Sequence, residues 1–323
     1  MHQVLFRLPF LGTPIYGYGA MMVAGFFAGL ALAKFLARRS GQDPEIFVNA
    51  ALIALVSGIA GARLSHVLEN LDEFTRSDLS VWQNVVNVFN MRSGGLTYYG
   101  GFLLAFPVTV LYGVKKKVPI RLGMDIIAPC LMIGLGFGRI GCFLNGCCHG
   151  AECDLPWAVR FPYYSNAYID QFADKERPLP VPTALVEVTA EHPEPRLVPP
   201  EHLKAMGSQY VELASHEHSR SVHPAQLYST ITAWLLAALL VAYFTVPHAP
   251  GRVFALMMIL EGATRFLLEM LRTEPPVVGR LSLSMIIGLG LVAGGAVLWL
   301  VFGRFQRGGA VTGPAGFPVG GTT

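Results

Sequence analysis

Seven stretches of this chain are apolar for about 20 residues each, the length that crosses a hydrocarbon core of about 30 Å. They fall at about 15–36, 46–68, 95–114, 122–144, 224–246, 252–272 and 282–303. The pattern predicts an all-α polytopic membrane protein: seven transmembrane helices with a small irregular α/β extracytoplasmic head. Four helices and an outer-face loop at 69–94 occupy residues 1–150, and the head occupies 151–222. Three helices occupy 223–307, and 308–323 is a Gly/Pro/Thr-rich cytoplasmic tail expected to be disordered. Met1 to Phe10 lacks a basic n-region followed by a small-residue cleavage site, so the first span is expected to be retained.

Polar positions orient the spans. Lys34, Arg38 and Arg39 follow the first span; Lys115, Lys116, Lys117 and Arg121 join the third to the fourth. Arg252 lies between the fifth and sixth, and Arg304 and Arg307 follow the seventh. Short basic loops mark the cytoplasmic side. All four clusters share one side, which places the N-terminus outside and the C-terminus in the cytoplasm. The opposite loops are acidic: Ala151 to Val222 holds eleven Asp/Glu against six Lys/Arg. That segment is Pro-rich and has strand-like pieces at Trp157–Phe161 and Ala184–Thr189. Composition agrees, since 53% of residues are hydrophobic and only 14% charged, against about 25% charged in soluble domains. The net charge of +3 is confined to short loops, so it points to membrane orientation and not to nucleic acid.

Ionisable residues inside spans are costly and mark function. Here they share one depth, near the outer face. Arg63 and His66 end the second span, Tyr98 and Tyr99 start the third, and Arg139 nears the end of the fourth. His223, Gln226 and Tyr228 open the fifth; Glu261, Arg265, Glu269 and Arg272 sit in the outer half of the sixth. Glu261, Arg265 and Glu269 recur every four residues and so share a helix face. Arg272, Tyr16 and Tyr98 taken singly read as snorkelling or interfacial side chains. Arg139 and Arg265 at matched depth read as a phosphate clamp, because a guanidinium binds phosphate bidentately. The phosphate already at that depth is a phospholipid head group. Gly134, Gly138 and Gly141 share one face of the fourth span and indicate close helix packing. Gly94–Gly95 and Gly100–Gly101 bracket the start of the third and permit a tightly turned entry.

These segments resemble a known family. Gly138-Arg-Ile-Gly-Cys-Phe-Leu-Asn-Gly-Cys-Cys-His-Gly150 is similar to the signature of prolipoprotein diacylglyceryl transferases. So are Gly94-Gly-Leu-Thr-Tyr-Tyr-Gly-Gly101, His223-Pro-Ala-Gln-Leu-Tyr228, Arg265-Phe-Leu-Leu-Glu-Met-Leu-Arg272 and the Tyr18-Gly19 pair. The resemblance implies transfer of the diacylglyceryl group of phosphatidylglycerol to the lipobox cysteine of a prolipoprotein signal peptide. A thioether forms and glycerol phosphate leaves, in the bacterial cytoplasmic membrane, without metal or organic cofactor. It implies that Arg139 and Arg265 hold the phosphate. Tyr18, Asn145 and Gly150 match further family positions, and Arg63, Glu269, His223 and Gln226 match polar positions that shape the site. With Tyr228 and Glu261 these form the expected substrate-binding set.

Three departures stand out. Tyr99 occupies the position of a common His, Cys142 and Cys147 replace an Asn and a Glu, and Glu261 replaces a Tyr. Tyr99, His149, Glu261 or the lipid phosphate itself is then open as proton acceptor, with Tyr99 at the usual catalytic position. The departures also leave room for a second reading, a phospholipid-binding or transport paralogue without the chemistry. Cys142, Cys147, Cys148 and Cys153 lie within twelve residues. Their spacing lacks the second separated pair of common zinc sites. A disulfide on the oxidising side, packed free thiols and a metal site all stay open.

Overall fold

The computed structural model describes residues 4–7, 14–74, 80–90, 97–188, 194–272, 277–279 and 281–304. Gly94–Gly95 and the tail after 308 fall outside the described residues. The chain is mostly helical. A two-stranded antiparallel sheet, β1 (Val4–Arg7) with β2 (Pro14–Tyr16), leads into α1 (Gly17–Arg39) and α2 (Pro44–Glu69). Short α3 (Leu71–Phe74) and α4 (Val81–Phe89) precede α5 (Tyr98–Lys115) and α6 (Ile120–Asn145). The head holds α7 (Asn166–Phe172), a two-residue ladder of β3 (Val186–Glu187) with β4 (Arg196–Leu197), α8 (Pro200–Met206) and α9 (Ser208–His216). Three long helices follow: α10 (Ala225–Phe244), α11 (Arg252–Glu269) and α12 (Leu283–Arg304).

Five helices are long and apolar enough to cross a membrane: α1, α2, α6, α10 and α12. The stretches expected at 95–114 and 252–272 are also helical, as α5 and α11. Helix α5 is a shorter apolar helix, and α11 carries Arg252, Glu261, Arg265 and Glu269. The strand-like pieces shrink to β3 and to a bridge from Val159 to Val222.

Helix α6 packs against α1 on one side and α10 on the other; α2 pairs with α5, and α11 with α10 and α12. Small residues let the backbones meet, since van der Waals packing must replace the hydrophobic drive inside lipid. A Cβ on Gly61 would lie 2.4 Å from the Gly100 carbonyl oxygen, so the α2–α5 crossing requires glycine there. Of the three glycines expected to pack closely, Gly141 lies tight under Tyr18 and Gly138 near Met22 of α1, whereas a Cβ on Gly134 would meet nothing within 4 Å. Outward side chains such as Phe27, Val56, Leu103 and Leu300 are more than half exposed and apolar, as a lipid-facing surface requires.

The densest core lies at the end away from the head, where Leu36, Ile126, Leu240 and Val253 are fully buried. Asp125 is buried among them at 0% exposure. Its carboxylate accepts the Gly251 N–H at 2.6 Å and the Phe254 N–H at 3.0 Å, and lies 3.6 Å from His248 Nε2. It thereby caps α11 from a neighbouring helix, satisfying donors that every helix N-terminus leaves open. Asp125→Ala strands two buried N–H groups and should lower stability by about 3 kcal/mol. A thermal-unfolding midpoint equal to wild type in the same detergent would refute this capping role.

Candidate active site

The C-terminal end of α6 meets the N-terminal end of α10, the C-terminal end of α11 and the start of α12. There the bundle forms a small, narrow cleft. Arg139 enters it from α6; Glu261, Arg265 and Glu269 enter from one face of α11; Ser229 and Thr232 come from α10 and Ser284 from α12. Arg272, one turn past Glu269, and Cys148, in the loop after α6, complete its mouth.

The charged groups differ in how far they are engaged. Glu269 is buried at 4% exposure, accepts the Ser282 hydroxyl at 2.9 Å and pairs with Arg272 at 3.3 Å. Glu261 Oε1 lies 3.5 Å from Arg265 Nε, an ion pair that leaves the Arg265 Nε without a hydrogen bond. Arg139 makes no hydrogen bond or ion pair among the described residues, although Glu261 and Cys148 feel its charge. Three guanidiniums and two carboxylates therefore face this cleft, leaving one positive charge uncompensated in low-dielectric surroundings. The arrangement suits a ligand carrying a single negative charge.

A second, larger cleft opens between the bundle and the head, lined by His149, Gly150, Glu152, Asp170, Asp174 and Arg272 among others. Cys148 and Arg272 line both clefts, so the two are neighbours. Both ring nitrogens of His149 meet acceptors, Nδ1 the Gly150 carbonyl and Nε2 the Asp170 carboxylate, each at 3.0 Å.

The loop between the clefts is stitched in place. Gly150 N–H donates to the His223 carbonyl at 2.9 Å, His223 N–H to the Ala151 carbonyl at 3.0 Å, and Ala151 N–H to the Leu271 carbonyl at 2.8 Å. Gln226 is fully buried, and its Nε2 donates to the Cys147 carbonyl at 2.7 Å. Tyr228 OH receives the Trp157 indole N–H at 2.7 Å and sits 3.4 Å from His223 Nδ1. These residues bind the α10 entrance to the head and the loop. Tyr18 stands over Gly141, with Arg139 and the thiols of Cys142, Cys147 and Cys148 as charge neighbours. The Cys147 thiol donates to the Cys142 carbonyl at 3.7 Å, and Asn145 ends α6 just before it.

Of the expected site residues, Tyr18, Asn145, His223, Gln226 and Tyr228 stand around the loop without lining either cleft, and Tyr99 and Arg63 lie elsewhere. Tyr99 is 62% exposed on α5 and lines neither cleft. Arg63 is buried beside α4. Its Nε donates to the Val88 carbonyl at 2.7 Å, and a terminal nitrogen donates to Asn87 at 2.7 Å and Asn90 at 3.0 Å. It thus holds the carbonyl end of an amphipathic helix whose Trp82 and Phe89 are about three-quarters exposed. Arg63→Ala should release α4, seen as markedly faster amide exchange across 81–89. Unchanged protection there would contradict the assignment. Ser229, Thr232 and Ser284 line the cleft without a sequence signal. Arg272 had one, since it lies seven residues from Arg265 and so on the same helix face.

A bundle of apolar, membrane-length helices with three arginines and two glutamates lining one cleft defines a class: polytopic membrane proteins with a charged intramembrane site. The chain belongs to the prolipoprotein diacylglyceryl transferase family, whose profile matches residues 3–301. It is 28% identical over 293 residues to the phosphatidylglycerol–prolipoprotein diacylglyceryl transferase of Clostridium tetani, covering 90% of this chain and 93% of that one. It is 26% identical over 268 residues to the same-named protein of Corynebacterium diphtheriae, covering 81% and 79%. A Rhodopirellula baltica protein of that name is 33% identical over 169 residues, half of this chain and about a third of that longer one.

Proposed function

We propose that this cleft transfers the diacylglyceryl group of phosphatidylglycerol to the lipobox cysteine of a prolipoprotein, the first step of lipoprotein maturation. The observation that carries the reading is the single uncompensated positive charge, with Arg139 unengaged, because a phosphatidylglycerol phosphodiester carries one negative charge. Arg139 and Arg265 hold its oxygens. The substrate thiolate attacks the glycerol carbon bonded to the phosphate; the S–C bond forms as the C–O bond breaks. Glycerol phosphate leaves, its growing charge met by fixed guanidiniums in a dry site. Of the four candidate proton acceptors, Glu261 is the side chain that lines the cleft with Arg139 and Arg265; we assign the thiol proton to Glu261. The second substrate approaches from the head-side cleft and meets the lipid at the junction lined by Cys148 and Arg272.

The same reading extends to the frame. Helices α5 and α11 lie alongside α2, α10 and α12, which supports seven spans. The basic clusters at the ends of α1, α5 and α12 lie opposite the head, which supports a bacterial cytoplasmic membrane with the N-terminus outside. The domain limits proposed are 1–150, 151–222, 223–307 and 308–323. One assay tests the function: purified protein, phosphatidylglycerol labelled in its acyl chains and a lipobox peptide. Expected are a thioether-linked diacylglyceryl peptide and one glycerol phosphate released per peptide. Tight lipid binding without transfer would establish the phospholipid-binding reading instead.

A further inference from the structure

The last turn of α6 and the loop after it bring three thiols together. Cys142 ends a turn of α6; Cys147 and Cys148 follow Gly146, which turns the chain in the left-handed region at φ 72°. Their three sulfur atoms lie within 4.8 Å of one another, the one such group among the described residues. All five cysteines are free thiols, and Cys130 and Cys153 stand outside the group. The transfer reaction has no use for these thiols, because its nucleophile arrives with the substrate.

The cluster is held in shape. Cys148 adopts φ 59°, a left-handed conformation that costs a non-glycine residue about 1 kcal/mol and persists only where its surroundings enforce it. The enforcing contacts are the Cys147 N–H to the Cys142 carbonyl at 3.1 Å and the buried Gln226 amide on the Cys147 carbonyl. Arg139 and Arg272 supply positive charge beside Cys148. The adjacent Cys147–Cys148 pair does not match the spaced pairs of common zinc motifs; the third sulfur comes from the helix.

We propose that Cys142, Cys147 and Cys148 form a three-thiolate site for a thiophilic d¹⁰ cation, Zn(II) or Cu(I). Thiolate sulfurs bind zinc at about 2.3 Å, so three around one ion stand about 4 Å apart, and these three already lie within 4.8 Å of one another. Soft thiolates select these two ions over hard cations. Binding releases three thiol protons to solvent and changes no oxidation state. Three thiolates leave a net charge of −1 with Zn(II) or −2 with Cu(I). Because Cys148 lines both clefts, the ion sits at their junction and clamps the loop there to α6. The site stands on the positions of the three sulfur atoms.

The test uses full-length protein in detergent, reduced and then freed of reductant under anaerobic conditions. It is titrated with Cd(II), a spectroscopic stand-in for Zn(II), and separately with an acetonitrile complex of Cu(I). One ion per chain is expected in at least one titration, with an ultraviolet thiolate-to-metal charge-transfer band, and the reactive thiols falling from five to two. Cys142→Ser, Cys147→Ser and Cys148→Ser should each weaken binding at least about 100-fold. Cys130→Ser and Cys153→Ser should bind as wild type does. Which titration saturates at the lower free-ion concentration identifies the ion. Absence of the band in both, binding that survives all three single substitutions, or loss of binding in Cys153→Ser overturns the site. So does a disulfide between two of the three sulfurs in protein taken directly from membranes.

Discussion

Arg139→Lys protein will fold, insert and retain phosphatidylglycerol, yet transfer diacylglyceryl at least about 100-fold more slowly than wild type. Arg139→Ala will fall further, by about 10³-fold. The reason lies in what Arg139 does not touch. Arg265 is paired with Glu261 at 3.5 Å, and Arg272 with the buried Glu269 at 3.3 Å. Removing either leaves a carboxylate unbalanced in a low-dielectric site, so activity and stability fall together and the cause is blurred. Arg139 has no hydrogen bond or ion pair among the described residues, so its loss removes charge and donors aimed at the ligand and little else. Lysine restores the charge but not the planar two-pronged donor set that spans two phosphate oxygens. The Lys variant therefore separates a requirement for charge from a requirement for geometry. Steady-state transfer to a lipobox peptide, with thermal stability measured in parallel, gives the result. A rate within tenfold of wild type for Arg139→Ala at unchanged stability would remove Arg139 from the mechanism.

The helices were legible because the apolar pattern and the membrane thickness impose nearly the same boundaries: 122–144 was expected and Ile120–Asn145 is found. The conflict in α11 is physical. Glu261, Arg265 and Glu269 lower its hydropathy, and they are the residues that build the cleft. Depth could be read from residue counts, and it brought Arg139, Arg265, Glu261 and Glu269 into one site. Direction toward a partner could not be read in this way. Arg63 lies at the outer end of α2 as expected, but its partners are carbonyls 24 to 27 residues later in α4, a pairing no local spacing reveals. Tyr99 likewise shares a sequence motif with the site without lining either cleft. The cysteines show the same limit, since their convergence depends on two left-handed residues, Gly146 and Cys148.

Gly150→Ala is expected to be a damaging single-methyl change, because it crowds backbone in the loop between the two clefts. A Cβ there would lie 2.6 Å from the His223 Cβ and 2.8 Å from the Leu271 carbonyl oxygen, and the residue is buried. A flexible side chain could swing away from a new methyl group; a backbone carbonyl fixed by its own hydrogen bond cannot. Relief requires the seam to open, which puts at risk the bonds from Gly150 to His223, His223 to Ala151 and Ala151 to Leu271. Overpacking of this kind costs about 1–3 kcal/mol, and each hydrogen bond lost adds about 1 kcal/mol. The functional cost should exceed the stability cost, because this loop carries Cys148 and His149 at the junction of the two clefts. A shift of about 1 Å in groups that align two substrates can cost about 100-fold in rate. Gly290→Ala is the control, since a Cβ at that position on α12 meets nothing within 4 Å and alanine favours the helix. The Gly290 variant should match wild type in rate and thermal midpoint, while the Gly150 variant loses both. Equal behaviour of the two variants would mean that the seam yields without disturbing the junction, and the loop would then have no positioning role in catalysis.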